Sequence, residues 1–190
     1  PLIDSNNNNQ KKAISLLLSE QKKIVGKRSL YIQLRNLFSQ DLDSSAFFNQ
    51  NYTYNEHVNY IINLSKSTEF LWKKISKNRR KGISRAIKRK ELEFYEVNSI
   101  DQIPEIYELI NKTYKRVKIP VAHISLFYNI FKDLVPIGYS KFLAVKFKNK
   151  IVACRIILNY KKTIYDYYAG YDISFSNKYP NEYLVWKILE

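Results

Sequence analysis

Apolar positions recur at helical spacing over residues 10–25, where Ile14, Leu17, Leu18, Ile24 and Val25 mark one side and Gly26 supplies a stop. Residues 29–36, SLYIQLRN, alternate and predict a strand with Tyr31, Gln33 and Arg35 on one face. Residues 37–56 are polar and irregular, and HVNYIINL at 57–64 predicts another strand. Two helical stretches follow, 68–75 and 78–90, read either as two helices or as one bent helix, with Ser67 suited to cap the first. ELEFYEV at 91–97 alternates as a strand. Residues 101–117 are amphipathic, with Ile103, Ile106, Tyr107, Ile110, Tyr114 and Val117 on a shared face, and Pro120 ends the segment. Residues 124–135 repeat that pattern, and Pro136 with Gly138 predicts a turn. Three strands come next, 141–148, 150–160 and 163–171, joined by tight turns at Asn149 and at Lys161 and Lys162. A last helix covers 182–190.

From residue 91 the order is strand, helix, helix, strand, strand, strand, helix. Strands joined by hairpins after two helices predict a mixed α/β sheet rather than a doubly wound parallel one. Residues 1–64 carry a helix and strands of their own and predict a preceding domain, 65–90 a basic helical segment, and 91–190 a second domain. The chain contains no Met and its last helix runs to Glu190, so we expect an excerpt of a longer protein that lacks both ends. At 45% hydrophobic residues it holds enough for a sizeable core.

Charge changes the picture. Lys and Arg number 32 against 17 Asp and Glu, a net +15, which favours polyanionic partners: nucleic acid, phosphorylated substrates or an anionic membrane face. A lysine-rich composition throughout, alongside abundant Asn and Ile, is the bland alternative. Between Phe70 and Lys90 there is no acidic residue, while Lys73, Lys74, Lys77, Arg79, Arg80, Lys81, Arg85, Lys88, Arg89 and Lys90 are all present. Trp72, Ile75, Ile83, Ala86 and Ile87 form the apolar stripe of this stretch, and Arg79 falls on it. An inward-facing arginine needs an anionic partner, which suggests a clamp on a diphosphate or an RNA backbone. The alternative is a solvated face whose arginines pair with local carboxylates. Gly82 costs ~1 kcal/mol against Ala within a helix, so it either permits close backbone approach or marks a break.

Other chemistries are excluded. The single cysteine, Cys154, lies in an apolar run and reads as a buried strand residue; with the distant His57 and His123 it builds neither a disulfide nor a metal site. No Ser-His-Asp pattern is present. No apolar run approaches the ~20 residues needed to cross a bilayer.

The strand at 163–171 concentrates tyrosines. Alternation puts Tyr165, Tyr167 and Tyr171 on one face, and Asp166 and Tyr168 on the other. Tyrosine hydroxyls beside a reacting carbonyl stabilise an oxyanion, and a carboxylate takes a proton or holds an ammonium. Tyrosine is also simply a good strand former. Arg155 interrupts the apolar strand IVACRIIL and needs a partner, for which Asp166 on the adjacent strand is the candidate.

LYIQLRN (30–36), LWKKISKNRRKGISRAIKRK (71–90), IYDYYAGYD (164–172) and KYPNEYLVWKILE (178–190) resemble, in this order, the FemAB family of the GNAT superfamily. The resemblance implies tandem GNAT-like domains, with residues 1–64 the C-terminal part of the first and 91–190 the first two-thirds of the second. It implies transfer of an aminoacyl group from tRNA, or of another activated acyl group, to an amine of a lipid-linked or nucleotide-linked peptidoglycan or polysaccharide precursor. No cofactor is then needed, and the setting would be cytoplasmic, at the inner face of the cell membrane. Candidate catalytic residues are Asp166, Tyr165 and Tyr168, beside the acyl-transfer cleft of such a fold. Arg79, Arg80, Lys81, Arg85, Lys88 and Arg89 are candidates for substrate phosphate or tRNA, with Arg155 and Lys187 in support. One departure stands out. Acetyl-CoA-dependent GNAT enzymes place a glycine-rich turn after the third hairpin strand to cradle pyrophosphate, and here that turn reads DISFSNKYPN, without glycine. The alternatives are an acetyl-CoA-dependent N-acetyltransferase acting on a surface-polysaccharide amino sugar, and a non-enzymatic basic nucleic-acid-binding module.

Overall fold

A computed structural model describes residues 10–29, 31–34, 45–56 and 58–190, and the chain divides into two compact units, 1–62 and 63–190. In the first unit the predicted helix forms as α1 (Gln10–Val25) and gives way at Gly26, whose φ of +46° opens a short 3-10 turn. Ile14, Leu18 and Ala46, the last from the single-turn α2 (Ser45–Phe48), make a small core with Phe47 and Tyr52 packed on it. The strand expected at 29–36 is absent over residues 31–34, and its remaining residues Leu30, Arg35 and Asn36 lie outside the described residues, as do 1–9, 37–44 and His57. The strand expected at 57–64 does not form over 58–64 either. Tyr60 there is 94% exposed, and an alternating pattern becomes a strand only against a partner ladder, which this segment does not have among the described residues.

In the second unit Ser67 caps α3 (Thr68–Lys74), its hydroxyl accepting from the Phe70 N–H at 3.3 Å. Ile75 and Ser76 are extended, so α3 and α4 (Lys77–Arg89) are two helices rather than one bent one. Lys90, left-handed at φ +53°, ends α4 and feeds β1 (Leu92–Glu96). After a 3-10 turn come α5 (Ile103–Arg116) and α6 (Ile124–Asn129), the latter prolonged by a π-helical turn over Ile130–Leu134. β2 (Ser140–Phe147), β3 (Lys150–Tyr160) and β4 (Thr163–Tyr171) follow, joined at two-residue turns in which Lys148 and Lys161 supply the positive φ. α7 (Pro180–Leu189) closes the order. The four strands make one antiparallel sheet in the order β1-β2-β3-β4, the mixed architecture that the order of elements predicts.

The sheet has two covered faces. Val97, Ile106, Ile110, Phe127, Phe142 and Ile156 form the core beneath α5 and α6. Ala86, Leu92, Leu143, Val145, Ile157 and Leu184 form a second core beneath α4 and α7. The basic helix is thus built into this unit and does not stand apart from residues 91–190. Its apolar stripe is narrower than the letters suggest: Ile83 and Ala86 are buried while Ile87 is 44% exposed. Gly82 lies inside the unbroken α4, and a β-carbon there would stand 2.6 Å from the Tyr179 ring. Close approach, not a break, is its reason.

Candidate active site

β4 positions the site. Its pairing with β3 shifts between Ile156 and Ile157: Ile156 faces Tyr168 while Ile157 faces Asp166, which leaves Tyr167 as an extra residue, a β-bulge. The bulge overturns the strict alternation expected for this strand. Tyr168 packs on the α5/α6 side against Phe127 at 4.9 Å and Tyr114 at 5.5 Å between ring centroids. Tyr167 stacks edge-on to Tyr168 at 4.6 Å, and Tyr165 lies 6.0 Å from Tyr167. Tyr165, Tyr167 and Tyr168 therefore share one face, while Asp166 and Tyr171 belong to the other, where Tyr171 joins the α7-side core. Burial pushes the Tyr114 and Tyr167 hydroxyls above the ordinary tyrosine pKa, so both remain protonated donors at neutral pH.

On the opposite face Arg155 bridges three elements. One Nη of Arg155 pairs with Asp166 on β4, and the other donates to Asn181 Oδ1 on α7 at 3.1 Å. The Arg155 side chain is 15% exposed, while that of Asp166 is 54% exposed, so the carboxylate stays within reach of a solute. Partial burial raises the Asp166 pKa, and the Arg155 charge opposes it. Lys187 does not join this group. It sits nearly two turns further along α7, pairs with Glu190, and lines a shallow groove of about 300 Å³ with Phe94, Leu143 and Ile164.

The arginines of α4 divide into two sets. Arg79 is exposed and paired with Glu182 of α7, not turned into the core: at the edge of the stripe its long side chain reaches past the apolar contact to a carboxylate. Arg85 donates to Tyr179 Oη at 3.0 Å and Arg89 to the Asn177 carbonyl at 3.1 Å. Arg85 and Arg89 hold the turn between β4 and α7, and Arg79 holds the first turn of α7. The side chains of Arg80, Lys81 and Lys88 make no hydrogen bond or ion pair among the described residues.

That turn is itself well satisfied. Asp172 caps a 3-10 turn (Ile173–Lys178) by accepting from the Ser174 N–H at 3.0 Å, and pairs with Lys150 at 2.7 Å. Lys178 pairs with Glu91 at 2.8 Å. Tyr179 adopts φ +59°, and Pro180, which has no N–H, opens α7 with the Glu182 carboxylate in its first turn. The Lys150 and Ser174 hydrogen bonds hold the Asp172 pKa at about 2, down from 3.8. A depressed folded-state pKa stabilises above the unfolded value and is lost as pH falls through the folded one, here between about pH 4 and pH 2. Asp172→Asn is therefore expected to cost about 1–2 kcal/mol at pH 7, after allowance for solvent screening, with the gap from wild type closing in acid. Urea unfolding at pH 7 and pH 3 checks this, and a gap that does not depend on pH excludes it.

The family model for the acetyltransferase (GNAT) domain matches residues 73–190, more than half of the chain. The chain belongs to the GNAT acetyltransferase family. The crystal structure of FemX aligns with 96% of this chain and 65% of its own, at a TM-score of 0.66 and 13% identity, a likeness of fold. The chain thus spans just under two-thirds of the FemX chain. Together these make it a FemAB-like GNAT protein. An acetyltransferase from Streptococcus agalactiae 2603 matches at a TM-score of 0.38 and 11% identity, over 52% of this chain and 67% of that one, and carries no argument. No curated protein matches the sequence. The match from residue 73 places the basic α4 inside the GNAT domain, as its packing does.

Within this GNAT unit sequence reasoning paired Arg155 with Asp166 correctly but missed Asn181, Tyr114 and Tyr179. Tyr114 carried a signal, as part of an amphipathic face that points at the sheet. Asn181 carried none, because its partner is 26 residues away in the chain. Cys154 is buried and its thiol is pushed up to about 12, so it is no nucleophile. Among the described residues no group of His, Cys, Asp and Glu fits a metal, and no helix is long and apolar enough to cross a membrane.

Proposed function

We propose that this chain is part of a FemAB-type transferase that forms an amide between a tRNA-borne aminoacyl group and an amine of a cell-envelope precursor, lipid-linked or nucleotide-linked. The observation that carries the reading is the closed turn between β4 and α7. The GNAT family implies an acyl-CoA donor whose pyrophosphate meets free backbone N–H groups at this helix terminus. Here Pro180 brings no N–H, Glu182 places a carboxylate in the first turn, Asp172 takes the Ser174 N–H, and the Tyr179 ring lies over Gly82. The turn has no glycine, its Ser174 N–H is already taken, and Asp172 and Glu182 are engaged by Lys150 and Arg79, a poor match for the CoA pyrophosphate.

In the proposed reaction the precursor amine attacks the aminoacyl ester carbonyl. The new C–N bond forms, the ester C–O bond breaks, and the proton lost by the amine is passed to the departing ribose hydroxyl. Asp166 holds the incoming ammonium and takes its proton before it reaches the ribose oxygen. The donor is already activated, so alignment and exclusion of water supply most of the remaining acceleration. The first unit is read as the end of a preceding GNAT-like domain, and the setting as cytoplasmic, near the inner face of the membrane.

The free cations of α4 suit the donor. Lys77, Lys81 and Lys88 recur at i, i+4 and i+11, along the side opposite Ile83 and Ala86, and all are exposed. No carboxylate interrupts them. Each phosphate contact contributes a salt slope of ~0.7–0.9, so reversing all three charges is expected to lower the slope of log affinity against log salt for aminoacyl-tRNA by about 2–3. Fluorescence anisotropy on the intact protein measures it. Saturable acetyl-CoA binding without tRNA affinity would overturn the reading in favour of an acetyl-CoA enzyme. Binding of tRNA and DNA alike with no transfer to a precursor amine would favour a nucleic-acid-binding module.

A further inference from the structure

We propose that Asn181 is a positioning residue for Asp166, acting through Arg155: its side-chain oxygen anchors one end of a guanidinium whose other end grips the carboxylate. The inference rests on the reading in which Asp166 handles the amine. An arginine fork is planar and rigid, so two fixed points define its plane, whereas a single ion pair would let it swing. Arg155 leaves β3, Asp166 lies on neighbouring β4, and Asn181 stands in the first turn of α7. Only Oδ2 of Asp166 pairs with Arg155, which leaves Oδ1 to meet an amine. The half-exposed carboxylate thus owes its direction to a residue on another element, directly after the glycine-free turn.

The charged and titratable groups around Asp166 are few. β3 presents Arg155, whose charge lowers its pKa. From α5, the Tyr114 hydroxyl senses both Asp166 and Arg155. From α7, Glu182 is one residue beyond Asn181 but is engaged by Arg79 of α4. Loosening Arg155 therefore weakens the cationic influence on Asp166, and among the described residues no other cation replaces it.

The test is Asn181→Ala, with Arg155→Lys and the double variant, in the intact protein. A lysine keeps the charge but cannot bridge two acceptors in one plane. We expect Asn181→Ala to raise the Asp166 titration midpoint, read by carboxyl carbon NMR, by about 0.5–1 pH unit. We expect the acid limb of transfer to follow it, with kcat down about tenfold and KM within twofold. The double variant should be no worse than Arg155→Lys alone, because both remove the same bridge. An unmoved Asp166 midpoint, or losses that add, overturns the inference even if transfer falls, since Asn181 would then serve only α7. Transfer that survives loss of the Asp166 carboxylate overturns the underlying reading instead.

Discussion

Gly170→Ala is expected to destabilise the second unit by about 3 kcal/mol, lowering the urea midpoint by roughly 1–2 M. Gly170 lies in β4 where α5 crosses the sheet. An added β-carbon would stand 2.7 Å from the Ile110 nitrogen, 2.9 Å from its Cα and 2.9 Å from the Leu109 carbonyl carbon. All three are helix backbone, which cannot rotate aside as a side chain does. The contact is supported one turn on, where the Thr113 hydroxyl accepts from the Tyr171 N–H at 3.1 Å and lies 2.9 Å from the Leu109 carbonyl it donates to. Moving α5 outward to admit a methyl group breaks that bridge and opens the core around Ile106 and Phe127. Gly170 has no positive φ, so the cost comes from space alone. A variant with the wild-type midpoint would show that α5 rides more loosely on the sheet than this geometry states.

Asp166→Asn is expected to slow transfer by about 10²–10⁴ in single turnover, the usual worth of a placed acid–base group, with donor affinity unchanged. The substitution keeps an oxygen for Arg155 and adds no volume, so folding should be spared. What it removes is the negative charge that orders an ammonium and accepts its proton. The comparison must be made with saturating aminoacyl-tRNA and a precursor amine, together with a thermal melt. A melt at the wild-type temperature and a rate within threefold of wild type would remove Asp166 from the chemistry.

Periodicity revealed the strands and helices of the second unit and their order along the chain because each is a local pattern repeated over many residues. Arg155 with Asp166 was legible for a similar reason, since a charge inside an apolar strand asks for a neighbour on the next one. Three features were not legible. The bulge at Tyr167 leaves no mark in the letters and is a property of pairing between two strands. Arg79 was placed on the apolar stripe by its helical angle, but a long flexible side chain follows its partner, Glu182, rather than the angle of its Cα. Residues 58–64 alternate as a strand would, yet a strand needs a second chain segment beside it. Contacts between distant residues decide each case, and a single sequence does not contain them.

The extra residue in β4 has an evolutionary reading. Because Tyr167 is an insertion within the ladder, gain or loss of one codon there would exchange which aromatic ring each relative presents on the α5/α6 side, with hardly any change in composition. Gapless alignment through this strand would then equate positions that look in opposite directions. Homologues are better matched outward from the Ile156–Tyr168 and Ile157–Asp166 pairs, the two rungs that flank the irregularity.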